Sequence, residues 1–312
     1  MNYLVTGGSG FIGSHLVDRL LKDGNLVTVL DGESKKIIVV DDFSEGKYSN
    51  LPKDPRLTVY NADILGNINR LFEGIDVVFH LAALTRPQWS IKHPFETNQV
   101  NVDGTIRVLE HCRDHKVKRV VFMSTSNLYG EQPIYPTPED AHPNPMNAYA
   151  LSKWVGEEYC RLFQKLYKLE WNAIRPFNVY GTRMPLTGVY TSAVATFIDV
   201  LKKNLPLEMW GTGEQRRDFI YVDDLVDMLV LAATSEVSGE AFNCGSGTNN
   251  SINELLQTVC KLMKATITPT RLPAQYEPAN TLADISKAKR LLGWTPKVSF
   301  EEGLRRTIEG TI

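Results

Sequence analysis

The sequence has few cysteines, no strong excess of either charge and no long hydrophobic run. Its four cysteines lie far apart and form no Cys-x-x-Cys pair, which indicates reduced thiols rather than a disulfide framework. The net charge of -2 gives no electrostatic basis for binding nucleic acid or an anionic membrane. No apolar stretch reaches the length that a bilayer requires, and the first ten residues lack the features of a signal peptide. We therefore expect a cytoplasmic protein with neither nucleic acid nor membrane as a partner.

What the sequence does contain is a glycine turn directly after its first apolar strand. Residues 2–6 predict a short strand, and Gly7-Gly-Ser-Gly-Phe-Ile-Gly13 separates it from a helical pattern through Leu16, Leu20 and Leu21. Glycine lets a pyrophosphate approach the N-terminus of the helix, where free N–H groups and the helix dipole favour an anion. The place of this turn after an N-terminal strand favours a dinucleotide site.

The residue that would bind the adenosine ribose is ambiguous. Two apolar runs end in a carboxylate, residues 27–31 with Asp31 and residues 37–41 with Asp41, which Asp42 follows. Asp31 is nearer to the usual spacing of about 20 residues beyond the last glycine. Only one run fits beside the first strand, so the other must belong to an insertion. A loop at the sheet edge away from the ligand tolerates an insertion better than the ligand crevice does. We predict Asp41, with Asp31 as the open alternative; either carboxylate would repel a 2′-phosphate and favours NAD over NADP.

Short apolar strands alternate with helices in the N-terminal half of the chain. Strands are predicted at residues 57–64, 76–83, 119–123 and 172–175, with a helix over residues 99–115. This alternation predicts an α/β fold with a doubly wound parallel sheet (Rossmann). Ligands of such sheets bind outside the carboxyl ends of the strands. The glycine turn, Asp63, Ala82, Ala83 and Thr125 all fall at those ends.

The rhythm of strands and helices loosens after about residue 179, where proline and glycine punctuate shorter elements. We predict a dinucleotide-binding Rossmann domain over residues 1–178 and a smaller, interleaved substrate domain over residues 179–312. Parts of the second domain, about residues 215–245, are expected to return to the main sheet.

Tyr149 and Lys153 are the candidate catalytic pair. Their spacing of four residues places both side chains on one face of a predicted helix, one turn apart. A phenol is a poor base at neutral pH, but a neighbouring ammonium favours the phenolate and lowers the phenol pKa. Such a pair can take a proton from a sugar hydroxyl and return it. The plainer interpretation is an amphipathic helix with a half-buried Tyr and an exposed Lys.

An ordered set of motifs carries a resemblance to a known family over nearly the whole chain. The chain resembles the extended short-chain dehydrogenase/reductases of the NAD-dependent epimerase/dehydratase family, and within them the UDP-sugar 4-epimerases that act on UDP-glucose or UDP-N-acetylglucosamine. The motifs are the glycine turn, His80-Leu-Ala-Ala83, Asn101-Val-Asp-Gly-Thr105, Ser124-Thr125 to Tyr129-Gly130, Tyr149 with Lys153, Arg175-Pro-Phe-Asn178-Val-Tyr-Gly181, Arg217 to Asp224, and Leu292-Gly-Trp-Thr-Pro296.

The resemblance implies a role for each matching position. Thr125, Tyr149 and Lys153 would be catalytic, with Thr125 bonding the reacting sugar hydroxyl and Lys153 also bonding the nicotinamide ribose. Asn178 and Arg217 would contact the nucleotide diphosphate of the substrate. The other residues expected to bind NAD are Gly7, Gly10, Phe11, Ile12, Gly13, Asp41, Asp42, Asp63, Ile64, Leu81, Ala82 and Ala83. The resemblance also implies C4 epimerisation of a UDP-sugar through a 4-keto intermediate, and a homodimer.

Several positions depart from the pattern of related enzymes. The acidic pair that nucleotide-sugar dehydratases carry after the Thr is Ser126-Asn127 here, which disfavours dehydration. A second diphosphate Arg is missing at Ala274, unless Arg271 or Arg216 substitutes. A small residue at Thr281, and the segment 188–193, suggest room for an N-acetyl group on the sugar.

Other interpretations stay open. The same scaffold carries UDP-glucuronate epimerases and decarboxylases and CDP- or dTDP-sugar epimerases, and a sensor that binds nucleotide without chemistry is a further possibility. His111 and His115 are one helical turn apart but have no third ligand nearby, so we expect no metal. His80 ends a buried strand and is expected to be a satisfied core residue rather than a base.

Overall fold

The computed structural model describes residues 1–23, 36–186, 192–274 and 277–311. The strands in these ranges are β1 (Tyr3–Thr6), β2 (Ile37–Asp41), β3 (Leu57–Asn61), β4 (Val77–His80), β5 (Arg119–Met123), β6 (Glu170–Pro176), β7 (Asn178–Tyr180), β8 (Glu208–Trp210), β9 (Arg216–Arg217), β10 (Phe219–Tyr221), β11 (Glu240–Cys244), β12 (Asn250–Ser251) and β13 (Thr270–Leu272). Seven of them form a parallel sheet with flanking helices, in the order β11-β6-β5-β4-β1-β2-β3. This order confirms the predicted doubly wound α/β fold, because the chain steps away from β1 in both directions.

The helices of the described residues are α1 (Phe11–Lys22), α2 (Pro87–Lys92), α3 (Pro94–Asn98), α4 (Gly104–Asp114), α5 (Ala148–Tyr167), α6 (Ala193–Lys203), α7 (Val222–Thr234), α8 (Ile252–Met263), α9 (Ser286–Leu292) and α10 (Phe300–Glu309). None of them is long and apolar enough to cross a membrane. In the described ranges, short 3₁₀ turns lie at Tyr48–Asn50, Asn69–Phe72 and Ser126–Tyr129.

The central strands are apolar because both faces of the sheet are covered. Every residue of β1, β4 and β5 is buried, as expected of parallel strands between two layers of helices. The slot next to β1 is filled by β2, in which Ile37 pairs with Tyr3 and Val40 pairs with Thr6. The second of the two competing apolar runs therefore occupies the slot, as predicted. The first run, with Asp31, lies outside the described residues.

The helix predicted over residues 99–115 begins earlier than expected and is interrupted. It starts with α3, where proline occupies the first turn, passes through a π-helical turn at Gln99–Asp103 and continues as α4. The apolar periodicity located this helix but gave no sign of the π turn. A π turn inside an α-helix frequently marks a functional site.

The chain forms two compact units. The first contains residues 1–128, 145–175 and 226–242, and therefore most of the parallel sheet; the second contains residues 129–144, 176–225 and 243–312. The second unit is built on three two-stranded pairings, β7 with β10, β9 with β12 and β8 with β13. The assignment of cofactor binding to residues 1–178 and of substrate binding to residues 179–312 stays a prediction.

Candidate active site

The glycine turn of the first unit connects β1 to α1 with almost no free space. Gly7 has a φ of +69°, and a Cβ at this position would lie 2.8 Å from the backbone nitrogen of Ala82. A Cβ at Gly13 would lie 2.2 Å from the carbonyl oxygen of Gly7. Both positions therefore require glycine, the first for its backbone conformation and its packing and the second for its packing.

The N-terminus of α1, which follows the turn, is suited to binding an anion. Gly10 is the N-cap of α1 and Phe11 and Ile12 are its first two residues; no acidic side chain lies in the first turn. The first N–H groups of a helix have no partner within it, and the helix dipole is positive at this end. The arrangement fits the pyrophosphate of a dinucleotide, as the sequence predicted.

Asp41 is held against the glycine turn. It ends β2, and its carboxylate accepts hydrogen bonds from the backbone N–H of Ser9 at 2.8 Å and of Phe43 at 2.8 Å. Asp42 is exposed, and its carboxylate accepts from the backbone N–H and the hydroxyl of Ser44. The structure thus brings Asp41 to the turn, while ribose binding by Asp41 or Asp42 stays a prediction.

The other residues predicted to bind the cofactor lie at the carboxyl ends of β3 and β4. Asp63 is exposed, whereas the side chain of Ile64 is buried and packs against Gly104. Leu81 and Ala82 donate backbone hydrogen bonds to Thr6, through its carbonyl oxygen and its hydroxyl respectively. Leu81, Ala82 and Ala83 are all half-buried. Cofactor binding by these residues stays a prediction.

Tyr149 and Lys153 lie one turn apart near the start of α5, and both are buried. The N-cap residue Asn147 fixes the start of this helix, because its side chain accepts a hydrogen bond from the backbone N–H of Ala150 at 2.9 Å. The Tyr149 N–H donates to the hydroxyl of Ser90 at 3.1 Å. The side chain of Lys153 is only 2% exposed. Burial of the Lys contradicts the plain amphipathic helix, which would expose it.

The ammonium of Lys153 is the most unusual charge of the site. Burial lowers its pKa from 10.5 to about 7, since desolvation disfavours the charged form. It lies 4.9 Å from the centre of the Phe122 ring, and we find no hydrogen bond to it among the described residues. A buried ammonium without a hydrogen-bond partner fits the ribose hydroxyls that the family resemblance assigns to it.

Thr125 follows β5 and begins the turn that leads out of the sheet. Its side chain is buried, and its hydroxyl oxygen accepts a hydrogen bond from the backbone N–H of Asn127 at 3.2 Å. The first unit therefore contains all three predicted catalytic residues, Thr125 at the end of a central strand and the other two on α5.

His80 is a satisfied core residue, as predicted. Its Nδ1 lies 2.8 Å from the Thr6 hydroxyl and its Nε2 lies 2.9 Å from the Thr105 hydroxyl. The Thr105 hydroxyl donates to the carbonyl oxygen of Asn101, so it accepts from Nε2–H, and Nδ1 accepts from Thr6. Burial and the neighbouring Lys153 lower the His80 pKa to about 3. The imidazole is therefore neutral and no base.

Asn101 is a residue to which sequence reasoning gave no role. It lies in the π turn, and its amide group donates to the carbonyl oxygen of Leu84 and to the Ser152 hydroxyl, both at 3.0 Å. The Ser152 hydroxyl in turn donates to the carbonyl oxygen of Tyr149 at 2.8 Å. Asn101 thus links the loop after β4 to the helix of the catalytic pair. Its motif was visible in the sequence, but only the tertiary contact shows what it holds.

Asn178 and Arg217 both belong to the second unit, Asn178 at the start of β7 and Arg217 at the end of β9. The Asn178 backbone N–H and side-chain amide both donate to the carbonyl oxygen of Asp218 at 3.0 Å. The guanidinium of Arg217 pairs with Glu277 at 2.9 Å. The Asn178 side chain is thus held by the backbone of the residue after Arg217, and phosphate binding by Asn178 and Arg217 stays a prediction.

The candidates to replace the missing Arg at Ala274 have other partners. Arg216 pairs with the carboxylate of Glu254 at 3.0 Å and donates to Asn249. Arg271 donates to the side chain of Asn253 at 3.0 Å. Thr281 accepts a hydrogen bond from the Asp218 N–H. Of the predicted pocket segment 188–193, residues 188–191 lie outside the described residues.

Comparison with known proteins decides the family. A family model described as the NAD dependent epimerase/dehydratase family matches residues 3–245. The chain belongs to this family. A UDP-glucose 4-epimerase of Mycolicibacterium smegmatis is 35% identical to it, with 99% of this chain and 98% of that protein covered.

Solved structures of family members superpose over the whole chain. A UDP-glucose 4-epimerase from Thermotoga maritima, determined with UDP-glucose, has a TM-score of 0.91 at 35% identity and covers 100% of this chain and 98% of its own. A UDP-N-acetylglucosamine 4-epimerase from Methanobrevibacter ruminantium, in complex with UDP-N-acetylmuramic acid, has a TM-score of 0.93 at 33% identity, with 99% and 97% covered. The cofactor named for the family, NAD, fits the glycine turn and the buried Lys153.

Proposed function

We propose that this protein is an NAD-dependent 4-epimerase of UDP-sugars. The observation that carries the proposal is the buried pair of Tyr149 and Lys153 on one face of α5. The same unit contains a glycine turn in which Gly7 and Gly13 have no room for a side chain, as a dinucleotide site requires. Full-length similarity to enzymes named UDP-glucose and UDP-N-acetylglucosamine 4-epimerases supports the reaction class.

The residues of the chain would share the proton chemistry between them. NAD held by the glycine turn and Lys153 would supply the redox chemistry at C4 of the sugar, as a hydride acceptor and then a hydride donor. Tyr149 would take the proton of the 4-hydroxyl as C4 is oxidised to the ketone. It would return that proton when the 4-keto sugar is reduced on its opposite face, which is the step that inverts C4. Lys153, when charged, favours the phenolate of Tyr149. Thr125 holds the reacting hydroxyl by a hydrogen bond.

Features around the sugar favour epimerisation over dehydration. The 3₁₀ turn after Thr125 begins with Ser126 and Asn127, so no carboxylic acid follows the Thr to assist loss of water. In the second unit, Thr281 is small where a Tyr would narrow the sugar site, which supports UDP-N-acetylglucosamine and UDP-N-acetylgalactosamine as substrates beside UDP-glucose and UDP-galactose. Arg217 and Asn178 are the proposed diphosphate ligands.

A product assay tests the function. The purified protein is incubated separately with UDP-N-acetylglucosamine, UDP-galactose and UDP-glucuronate, and NMR identifies the configuration at C4 of each product. We expect the C4 epimer of at least one UDP-sugar. A decarboxylated or dehydrated product would assign another reaction on this scaffold, and no turnover of any nucleotide sugar would exclude catalysis and favour a sensor.

We also propose a cytoplasmic homodimer. The four cysteines are free, which suits a reducing compartment. Leu151, Leu162 and Leu166 lie on one exposed stripe of α5, since their spacings of eleven and four residues return to the same helix face. Such a stripe supports pairing with the same helix of a second copy. Light scattering should give twice the mass of 35.1 kDa, and Leu162→Glu with Leu166→Glu should return it to that value.

A further inference from the structure

A buried ion pair contacts Ser124, the residue that precedes the predicted catalytic Thr125. The guanidinium of Arg175 on β6 donates to both carboxylate oxygens of Glu157 on α5, at 2.9 Å from Nε and 2.6 Å from Nη2. The hydroxyl of Ser124, at the end of β5, donates to the same carboxylate. All three side chains are buried, and Glu157 is 0% exposed. The carboxylate therefore joins three elements of the first unit.

The ion pair is a poor means of stabilising a fold. Its attraction is offset by the cost of removing both charges from water, and apolar side chains of similar volume often stabilise a core as well or better. A bidentate pair fixes the orientation of its carboxylate, because the planar guanidinium donates two parallel hydrogen bonds to it. The Glu157 carboxylate can therefore hold Ser124 in a defined place.

Glu157 lies close in the chain to the proposed catalytic residues of α5, and it contacts the residue before Thr125. Glu157 lies one turn after Lys153 and two turns after Tyr149, so the three side chains share one face of α5. Ser124 immediately precedes Thr125, and its backbone N–H donates to the Ile174 carbonyl oxygen at 2.8 Å. α5 also lies close against β5, because a Cβ at Gly156 on α5 would lie 2.5 Å from the ring of Phe122 on β5.

We propose that Glu157 is a positioning residue for the reaction. Its carboxylate, oriented by Arg175, fixes Ser124 and so sets the separation between the Thr125 hydroxyl and the Tyr149 phenol. The proposal rests on the proposed function, in which both groups meet the same sugar hydroxyl. A displacement of about 1 Å between such groups costs on the order of 100-fold in rate. The polar contact of Ser124 with Glu157 therefore matters more for rate than for stability.

The test uses two variants that keep the charge pair. Ser124→Ala removes the hydroxyl and leaves Glu157 with Arg175; Glu157→Asp shortens the side chain so that a carboxylate held by Arg175 withdraws from Ser124. We expect each to lower kcat by about 10- to 100-fold with KM changed less than about 3-fold. The double variant should be no slower than the slower single variant, because both remove one contact.

A structural role alone would give a different pattern. The matched control is Thr307→Val, which removes the hydroxyl of another buried side chain, one that bonds the carbonyl oxygen of Gly303 in its own helix. Ser124→Ala should lower Tm no more than this control does. With a UDP-sugar deuterated at C4, Ser124→Ala should show a larger isotope effect on kcat than the parent, since mispositioning slows the chemical step. Parent-like kcat in Ser124→Ala, or rate losses that multiply in the double variant, would overturn the proposal.

A structural readout separates this proposal from the proposed function. In crystals of Ser124→Ala, we expect the Thr125 hydroxyl and the Tyr149 phenol to be displaced by 0.5 Å or more, on the order of what near-attack geometry tolerates. An unchanged separation would overturn the positioning role whether or not the parent is active. Failure of the parent to convert any UDP-sugar would overturn the proposed function. The measured displacement in the Ser124→Ala crystal would still test whether Glu157 positions the two side chains.

Discussion

The backbone of Ala82 occupies the space that a side chain at Gly7 would need. Gly7 has a φ of +69°, and a side chain there would meet the nitrogen and the Cα of Ala82 at 2.8 and 2.9 Å. Because Gly7 begins the turn after β1 and Ala82 lies just beyond β4, this contact fixes the geometry between two neighbouring strand ends. The proposed pyrophosphate site therefore depends on the absence of one side chain.

Replacing Gly7 by Ala should damage both the fold and cofactor binding. The positive φ costs about 1 kcal/mol and the clash with Ala82 about 1–3 kcal/mol more. We expect the free energy of unfolding to fall by about 2–4 kcal/mol and NAD affinity to fall more than about 10-fold. Denaturant unfolding and calorimetric titration with NAD measure the two effects.

Gly74→Ala is the matched control for this variant. Gly74 has the same φ of +69°, but a Cβ there meets nothing within 4 Å. Gly74→Ala should lose only the stability that the positive φ costs, about 1 kcal/mol, and should keep the parent NAD affinity. Equal effects of the two substitutions would show that the approach of Gly7 to Ala82 is unimportant.

Tyr149→Phe removes the proposed base and leaves the ring. We expect kcat to fall by about 100- to 10,000-fold, because general base catalysis contributes a factor of this size. NAD binding and Tm should stay near the parent values. Tyr159→Phe removes a hydroxyl from the same helix and should keep full activity. A Tyr149→Phe protein that epimerises like the parent would point to a nucleotide sensor or another base.

Lys153→Met should separate stability from activity. Burial lowers the Lys153 pKa from 10.5 to about 7, so below pH 7 the folded protein holds an unfavourable buried charge. The penalty is at most about 5 kcal/mol and shrinks as pH rises toward the unfolded pKa, because the unfolded chain binds the extra proton in this range. We expect the variant without cofactor to melt several degrees above the parent at pH 6, with the difference vanishing near pH 10.

The same variant should be inactive at every pH, because Met cannot favour a phenolate or bond a ribose hydroxyl. Thermal melts at pH 6, 8 and 10 and the epimerase assay check the two halves of this prediction. A variant less stable than the parent at pH 6 would mean that the Lys153 ammonium has a stabilising partner in solution.

Arg217→Gln should weaken the binding of substrate and leave the cofactor alone. Loss of a charge-assisted phosphate contact costs about 1.5–3 kcal/mol, which predicts a rise of about 10- to 100-fold in the Kd for UDP. Arg216→Gln is the matched control, since its guanidinium pairs with Glu254 and Asn249. We expect less than a 3-fold change for it, on the scale of an exposed ion pair. A large effect of Arg216→Gln would instead make Arg216 the substitute for the Arg missing at Ala274.

Much of the fold followed from local patterns. The short apolar strands predict a parallel sheet because a strand covered on both faces carries no polar alternation, and β4 and β5 are buried throughout. Two features were invisible at this level. The π turn at Gln99–Asp103 and the early start of its helix leave no mark on apolar periodicity, since they depend on packing rather than on composition.

The candidate site divides in the same way. The glycine turn and the four-residue spacing of Tyr149 and Lys153 can be read from the residues alone, because both are short-range and their chemistry follows from residue type. The sequence favoured Ile37–Asp41 beside β1 and a satisfied His80, and packing selected that run and identified the two threonine hydroxyls that contact His80. Only packing showed that Lys153 is buried, which lowers its pKa. Only packing brings the Glu157 carboxylate to Arg175 and to Ser124, the residue before Thr125. Desolvation and side-chain pairing arise from what packing brings together, and no local pattern of residues contains that information.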